Sequence, residues 1–119
     1  MKTVLIVDDE SAIRRLLSHW IRASGYEVAE AESAEQALAE MRECRAGVVV
    51  CDVHLPDHDG IWLAGELHRR FPEAALIMTT GSQRTNLMRE TGAVDCLMKP
   101  FKRAQLQAAL QHGSEWNRA

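Results

Sequence analysis

The sequence predicts an α/β fold: one parallel sheet of five strands covered on both faces by five helices. Three observations predict it. Apolar runs such as Thr3-Val-Leu-Ile-Val7 and Val48-Val-Val-Cys51 lack polar alternation, as expected of strands buried on both faces. Segments with helical apolar spacing come after these runs, so strand and helix alternate along the chain. The connections are short, and right-handed crossovers between parallel strands turn such a chain into a three-layer, doubly wound sheet.

The first strand, Thr3 to Val7, ends on Asp8-Asp9-Glu10. A helix from about Ser11 carries Ile13, Leu16, Leu17, Trp20 and Ile21 at helical spacing, with Arg14, Arg15 and Arg22 outward and Gly25 as its stop. Glu27 and Glu30 in the second strand, Tyr26 to Ala31, suggest a sheet edge. Ser33-Ala-Glu-Gln36 has the capping-box pattern and opens a helix with Ala34, Ala37, Leu38 and Met41 inward. The third strand, Val48 to Asp52, stops abruptly on an acid and leads into a loop of turn formers, His54-Leu-Pro-Asp-His-Asp-Gly60. The next helix presents Leu63, Ala64, Leu67 and Phe71 on one face, and Pro72 marks its end.

Ala75 to Met78 reads as the fourth strand, with Thr79-Thr80-Gly81-Ser82 directly after it. A weakly patterned helix spans Gln83 to Thr91 and is capped by Gly92. Asp95 to Met98 is a short fifth strand ending at Lys99-Pro100-Phe101. The last helix, with Leu106, Ala109 and Leu110 inward, fades near His112-Gly113. One domain over residues 1–113 is therefore expected, with 114–119 as a polar tail or the start of a linker.

At 119 residues, 46% hydrophobic and 26% charged, the chain has the composition of a globular domain with a real core. Its net charge of −3 argues against a basic face gripping nucleic acid. No apolar stretch approaches the roughly 20 residues of a membrane span, and the N-terminus lacks a signal-peptide pattern. Three cysteines without a C-x-x-C spacing argue against a disulfide framework or zinc site and fit a reducing cytoplasm. Cys51 and Cys96 lie in apolar strand contexts and read as small core residues.

In a parallel sheet, Asp8 and Asp9, Asp52, Thr79 and Lys99 all fall at the carboxyl edge, where open α/β sheets bind their ligands. Carboxylates crowded there repel one another and raise each other's pKa values unless a cation enters. A hard divalent cation such as Mg²⁺ would relieve the repulsion, and Lys99 would add positive charge. Such a site suits a phosphoryl group carried on one aspartate, with a threonine hydroxyl bonded to one of its oxygens.

These residues resemble those of the receiver domain of two-component response regulators, the fold of the chemotaxis response regulator. The resemblance is carried by Val7-Asp8-Asp9-Glu10, Asp52-Val-His-Leu-Pro-Asp-His-Asp-Gly60, the Met78-Thr79 strand end and Gly92-Ala-Val-Asp-Cys-Leu-Met-Lys-Pro-Phe101. It implies a flavodoxin-like sheet of strand order 2-1-3-4-5. It implies Asp52 as phosphoacceptor from a histidine kinase or histidine phosphotransfer protein, with no separate enzymatic activity beyond the domain's own phosphorylation and dephosphorylation. Asp8, Asp9, Asp52 and the backbone carbonyl of His54 would hold Mg²⁺, with Mn²⁺ as an alternative. Lys99 would pair with the acceptor, and Lys99-Pro100 would be cis. Thr79 is favoured as the switch hydroxyl, with the adjoining Thr80 as the one-residue alternative. The resemblance fits either a stand-alone receiver or one with a C-terminal output domain outside this chain, and dimerisation through the last two helices and strand five is a habit of the family.

Three departures stand out. Cys96 occupies the position where the family usually places an aromatic switch residue, the fourth helix is about two residues short, and His54 replaces the commoner methionine. The first two motivate an alternative, a receiver-like interaction module that works without phosphorylation. His54, Asp57, His58 and Asp59 form a candidate metal cluster, but solvated turn residues are the simpler reading.

Overall fold

The structure, a computed structural model, describes residues 2–82 and 86–116. Its strands are β1 (Thr3–Val7), β2 (Glu27–Ala31), β3 (Val48–Asp52), β4 (Ala75–Thr80) and β5 (Asp95–Met98). Its helices are α1 (Ser11–Ala23), α2 (Ala34–Cys44), α3 (Gly60–Arg70), α4 (Leu87–Thr91) and α5 (Arg103–Trp116). The strands form one parallel sheet in the order β2-β1-β3-β4-β5, with the glutamate-bearing strand at an edge. No helix among the described residues is long and apolar enough to cross a membrane.

The pleat divides each strand between two cores, because successive side chains point to opposite faces. Leu5, Val7, Val49, Cys51, Leu76 and Met78 pack with α2, α3 and Leu87 of α4. Val4, Ile6, Val48, Val50, Ala75, Ile77 and Leu97 pack with α1 and α5. β3 lies mid-sheet with every residue buried, which is why its sequence shows no alternation.

Helix starts are set by side chains. Ser33 accepts from Gln36 N at 3.1 Å, and the Gln36 side chain accepts from Glu32 N at 2.7 Å, a capping box shifted by one residue on its return arm. Asp59 accepts from Trp62 N at 2.8 Å and caps α3.

Several boundaries and faces differ from the sequence expectation. Leu16 is 45% exposed, because α1 turns only the stripe containing Leu17 and Ile21 fully onto the sheet. Arg14 is drawn off the solvent face by polar groups at the carboxyl edge. β4 continues to Thr80 rather than ending at Met78, since Asp52 and Val53 of β3 and its exit keep it paired through Thr79 and β5 pairs Thr80 with Met98. Helix α4 starts at Leu87; residues 83–85 of the expected span lie outside the described residues.

The last helix runs through Gly113 to Trp116, so Ser114 to Trp116 are helical rather than a tail. Gly113 does not break it but lets it lie close to the sheet, for a Cβ there would come 3.1 Å from Val48 Cγ2. Lys2 Nζ donates to the Ser114 carbonyl at 2.9 Å, and Tyr26 Oη lies 3.0 Å from Ser114 Oγ, holding that final turn down. Residues 117–119 lie outside the described residues.

Candidate functional site

The pleat aims the site. Ile6, Val50 and Leu97 face the α1/α5 side, so Asp8, Asp52 and Lys99, each two residues further along, face it too at the carboxyl edge. Lys99 Nζ donates to Asp8 Oδ2 at 2.7 Å and to Asp52 Oδ2 at 2.9 Å. Asp8 is 1% exposed and Asp52 6%, so both carboxylates sit in a largely dry setting against one ammonium. Burial works to lower Lys99's pKa, but the hydrogen bonds to Asp8 and then Asp52 outweigh it and hold the group above the ordinary lysine value.

The remaining carboxylate oxygens are fixed by local turns. Asp8 Oδ1 accepts from Glu10 N at 2.9 Å, and Asp52 Oδ1 from His54 N at 3.1 Å. Asp9 and Glu10 are exposed, and one oxygen of each lies within 4.8 Å of the others and of an Asp8 oxygen. Glu10 thus joins an acidic group in which the sequence pattern singles out only its two neighbours. His54 is exposed and meets Asp52 through its backbone N–H.

Gly60 fixes the loop after Asp52. A Cβ on it would collide with the Asp52 carbonyl oxygen and lie 2.8 Å from Val53 Cα, so only glycine lets α3 begin this close to β3.

Both threonines are buried, at different levels. Thr79 stands opposite Asp52 in register, and its carbonyl accepts from Val53 N at 3.0 Å. Thr80, the strand's last residue, donates its hydroxyl to the Ser82 carbonyl at 3.0 Å and accepts from Ser82 N at 3.2 Å. The Thr80 carbonyl accepts from Lys99 N at 2.7 Å, and the Lys99-Pro100 peptide is cis.

Cys96 is half-buried against the α2/α3 core, where Met78 is its register partner. Cys51 lies beneath the acids; burial, with the charges of Asp52, Asp8 and Asp59, pushes its thiol far up and leaves it a poor nucleophile.

The second acidic loop serves architecture. Asp57 Oδ1 accepts from Ala34 N and Oδ2 from Glu35 N, both at 2.9 Å, so its carboxylate caps α2 from 23 and 22 residues away. His58 Nε2 lies 3.2 Å from Glu35 Oε1, and its ring stacks on Trp62 with centroids 3.8 Å apart. Glu35, Asp57 and His58 do cluster, yet each Asp57 oxygen is directed at a helix N-terminus, which is more specific than the expected solvated turn.

The family model for the response regulator receiver domain matches residues 4–111. The chain belongs to this family. Its receiver domain is similar to the KDP operon transcriptional regulatory protein KdpE of Escherichia coli, 34% identical over 113 residues, 93% of this chain and 50% of that protein. The chain spans about half the length of the curated relatives it matches. Among solved structures, a CheY-like receiver domain protein from Methanospirillum hungatei superposes with a TM-score of 0.91 at 29% identity, covering 99% of this chain and 98% of that one. The response regulator TrrA of Thermotoga maritima, solved in complex with Mg²⁺-BeF, superposes with a TM-score of 0.87 at 29% identity, covering 95% of this chain and 99% of that one. This receiver domain has the flavodoxin-like sheet, and its two-component family places it in phosphorelay signalling.

Proposed function

We propose that this receiver domain accepts a phosphoryl group on Asp52 from the phosphohistidine of a histidine kinase or histidine phosphotransfer protein. The observation that carries the reading is the Asp8–Lys99–Asp52 bridge, two buried carboxylates from separate strands sharing one ammonium at 2.7 and 2.9 Å. An Asp52 oxygen attacks phosphorus, the O–P bond forms, the N–P bond breaks and the imidazole leaves. Water later cleaves the acyl phosphate and returns the carboxylate and inorganic phosphate. Lys99 remains beside the acceptor and neutralises oxygens that gain charge, so catalysis is positioning and electrostatics.

The donor set fits a hard divalent cation. Asp8, Asp9, Glu10 and Asp52 offer oxygen alone, and one ammonium against four carboxylates leaves negative charge to be neutralised. Asp8, Asp9, Asp52 and the His54 carbonyl would hold Mg²⁺ or Mn²⁺. When bound, the cation would screen the phosphoryl oxygens from these acids.

The switch hydroxyl is assigned to Thr79, with Thr80 as the one-residue alternative. Thr79 is the register partner of Asp52 and follows Ile77 by two residues, so its side chain lies on the α1/α5 side of the sheet, the side of Asp8, Asp52 and Lys99. Thr80 follows Met78 by two, turns to the opposite side, and holds Ser82 through both of its hydroxyl contacts. Reaching a phosphoryl group on Asp52, Thr79 would draw the loop after β4 with it. Cys96, on the opposite sheet face, would put a small side chain where an aromatic readout is usual.

The donor has a surface to meet. A groove of about 330 Å³ beside Lys99 is lined by Ile13, Leu16, Leu17, Trp20, Pro100 and Phe101. It would receive an apolar helix of the donor, which accounts for Leu16 standing exposed. Output through a further domain or a homodimer belongs to the same proposal, as does a cytoplasmic setting.

Intact mass after incubation with acetyl phosphate and Mg²⁺ tests the reading. One phosphoryl adduct is expected on the wild type and none on Asp52→Asn; an unmodified wild type, under conditions that label another receiver domain, overturns it.

A further inference from the structure

The Asp8 backbone is held from outside the acidic turn by the edge strand. Its N–H donates to the Ala31 carbonyl at 3.1 Å, at the end of β2. Its carbonyl accepts from Arg14 Nη1 at 2.7 Å. Arg14 is in turn held by β2, with Nε 3.3 Å from Glu30 Oε1, and its Nη2 lies 3.9 Å from Glu32 Oε2. The arginine side chain is only 16% exposed. Arg14 lies in the first turns of α1 and folds back toward the helix N-terminus, the direction in which helical side chains lean.

The carbonyl that Arg14 grips belongs to the peptide joining Asp8 to Asp9. Fixing that peptide plane fixes the two residues on either side of it. We propose that Arg14 is a positioning residue for cation binding, a brace that transfers the rigidity of β2 through Glu30 to the Asp8–Asp9 peptide. The inference rests on the reading of those acids as cation ligands.

Charge and position make opposite predictions here. A guanidinium near a cation site repels the cation, so if charge alone mattered, removing it would tighten binding. If the brace orients the ligands, removing it weakens binding, as loss of groups that orient metal ligands generally does.

Isothermal titration calorimetry with Mg²⁺ on the full chain separates these. Arg14→Ala is expected to weaken Mg²⁺ binding roughly ten-fold. Arg14→Lys, which keeps a donor for the carbonyl but loses the fork, should fall between it and the wild type. Glu30→Gln should weaken binding as well, and the double variant should be no weaker than Arg14→Ala alone, the non-additivity of groups acting as one unit. Circular dichroism of each metal-free variant checks that it is folded, and Arg14→Lys and Glu30→Gln carry the test if Arg14→Ala is not. Affinity in Arg14→Ala equal to or tighter than wild type, or strictly additive losses, overturns the brace alone. A wild type that binds no Mg²⁺ overturns both the brace and the cation reading, while loss of binding in Asp9→Asn supports the latter independently.

Discussion

Lys99 Nζ lies 2.7 Å from Asp8 Oδ2, joining groups 91 residues apart in sequence across the carboxyl edge of the sheet. The same ammonium serves Asp52, so its removal leaves two buried carboxylates facing each other. Lys99→Met should therefore destabilise the metal-free protein by about 3 kcal/mol, the range for breaking a buried ion pair. Urea unfolding at neutral pH measures this, and Mg²⁺ should recover more stability in the variant than in the wild type. An unchanged urea midpoint would show that the pair does not support the fold.

Asp57 gives a pH-dependent counterpart. Its slight burial would raise its pKa, but the N–H groups of Glu35, Ala34 and His58 outweigh this and hold it below the ordinary aspartate range. A depressed carboxylate contributes stability above its unfolded pKa of about 3.9, and that contribution is lost as pH falls through the lower folded value. Asp57→Ala should cost about 1 kcal/mol at neutral pH, as for other lost helix caps. The gap from wild type should close as pH drops below the ordinary aspartate range. A gap that stays constant down to strong acid would exclude the charged cap as its cause.

Gly60→Ala tests the approach of α3 to β3. With the Asp52 carbonyl in the way of the new Cβ, either the helix start or the end of β3 must move. A loss of about 2 kcal/mol is expected, the scale of overpacking a tight site. Slower labelling by acetyl phosphate should accompany it, and wild-type rates would mean that the acceptor tolerates the shift.

The two threonines separate by NMR. In wild type, beryllofluoride with Mg²⁺ should shift the Thr79 and Ser82 amides as Thr79 turns to the new group and draws the loop with it. Thr79→Val should abolish that response while the variant still takes up beryllofluoride, and Thr80→Val should retain the Thr79 shift. The reverse pattern would move the switch to Thr80.

Much of this is legible in the sequence because buried parallel strands are written as unbroken apolar runs, and the residues just past each run must lie at one sheet edge. Asp8, Asp52 and Lys99 emerge that way. The features that sequence does not reveal depend on contacts between distant segments. Asp57 reads as a turn residue until Ala34 and Glu35 are seen beneath it. Arg14 reads as a solvent-facing charge until β2 brings Glu30 alongside. Gly113 reads as a helix stop because sequence pattern cannot show Val48 pressing against that turn. The end of β4 is hidden for a related reason: Thr79 and Thr80 are buried by their neighbours in the sheet, not by their own hydrophobicity.

The position of β3 has a mechanical consequence. Asp52 is rooted in the fully buried centre of the sheet, whereas β5 is an edge strand of four residues with one fully buried and Met98 55% exposed. Stiffness therefore falls away from Asp52 toward β5 and the short α4. Any strain that a new covalent group imposes at Asp52 relaxes most easily at that compliant margin, so amide exchange should be slowest at Val49 and Val50 and should change most, on modification, beyond Thr80.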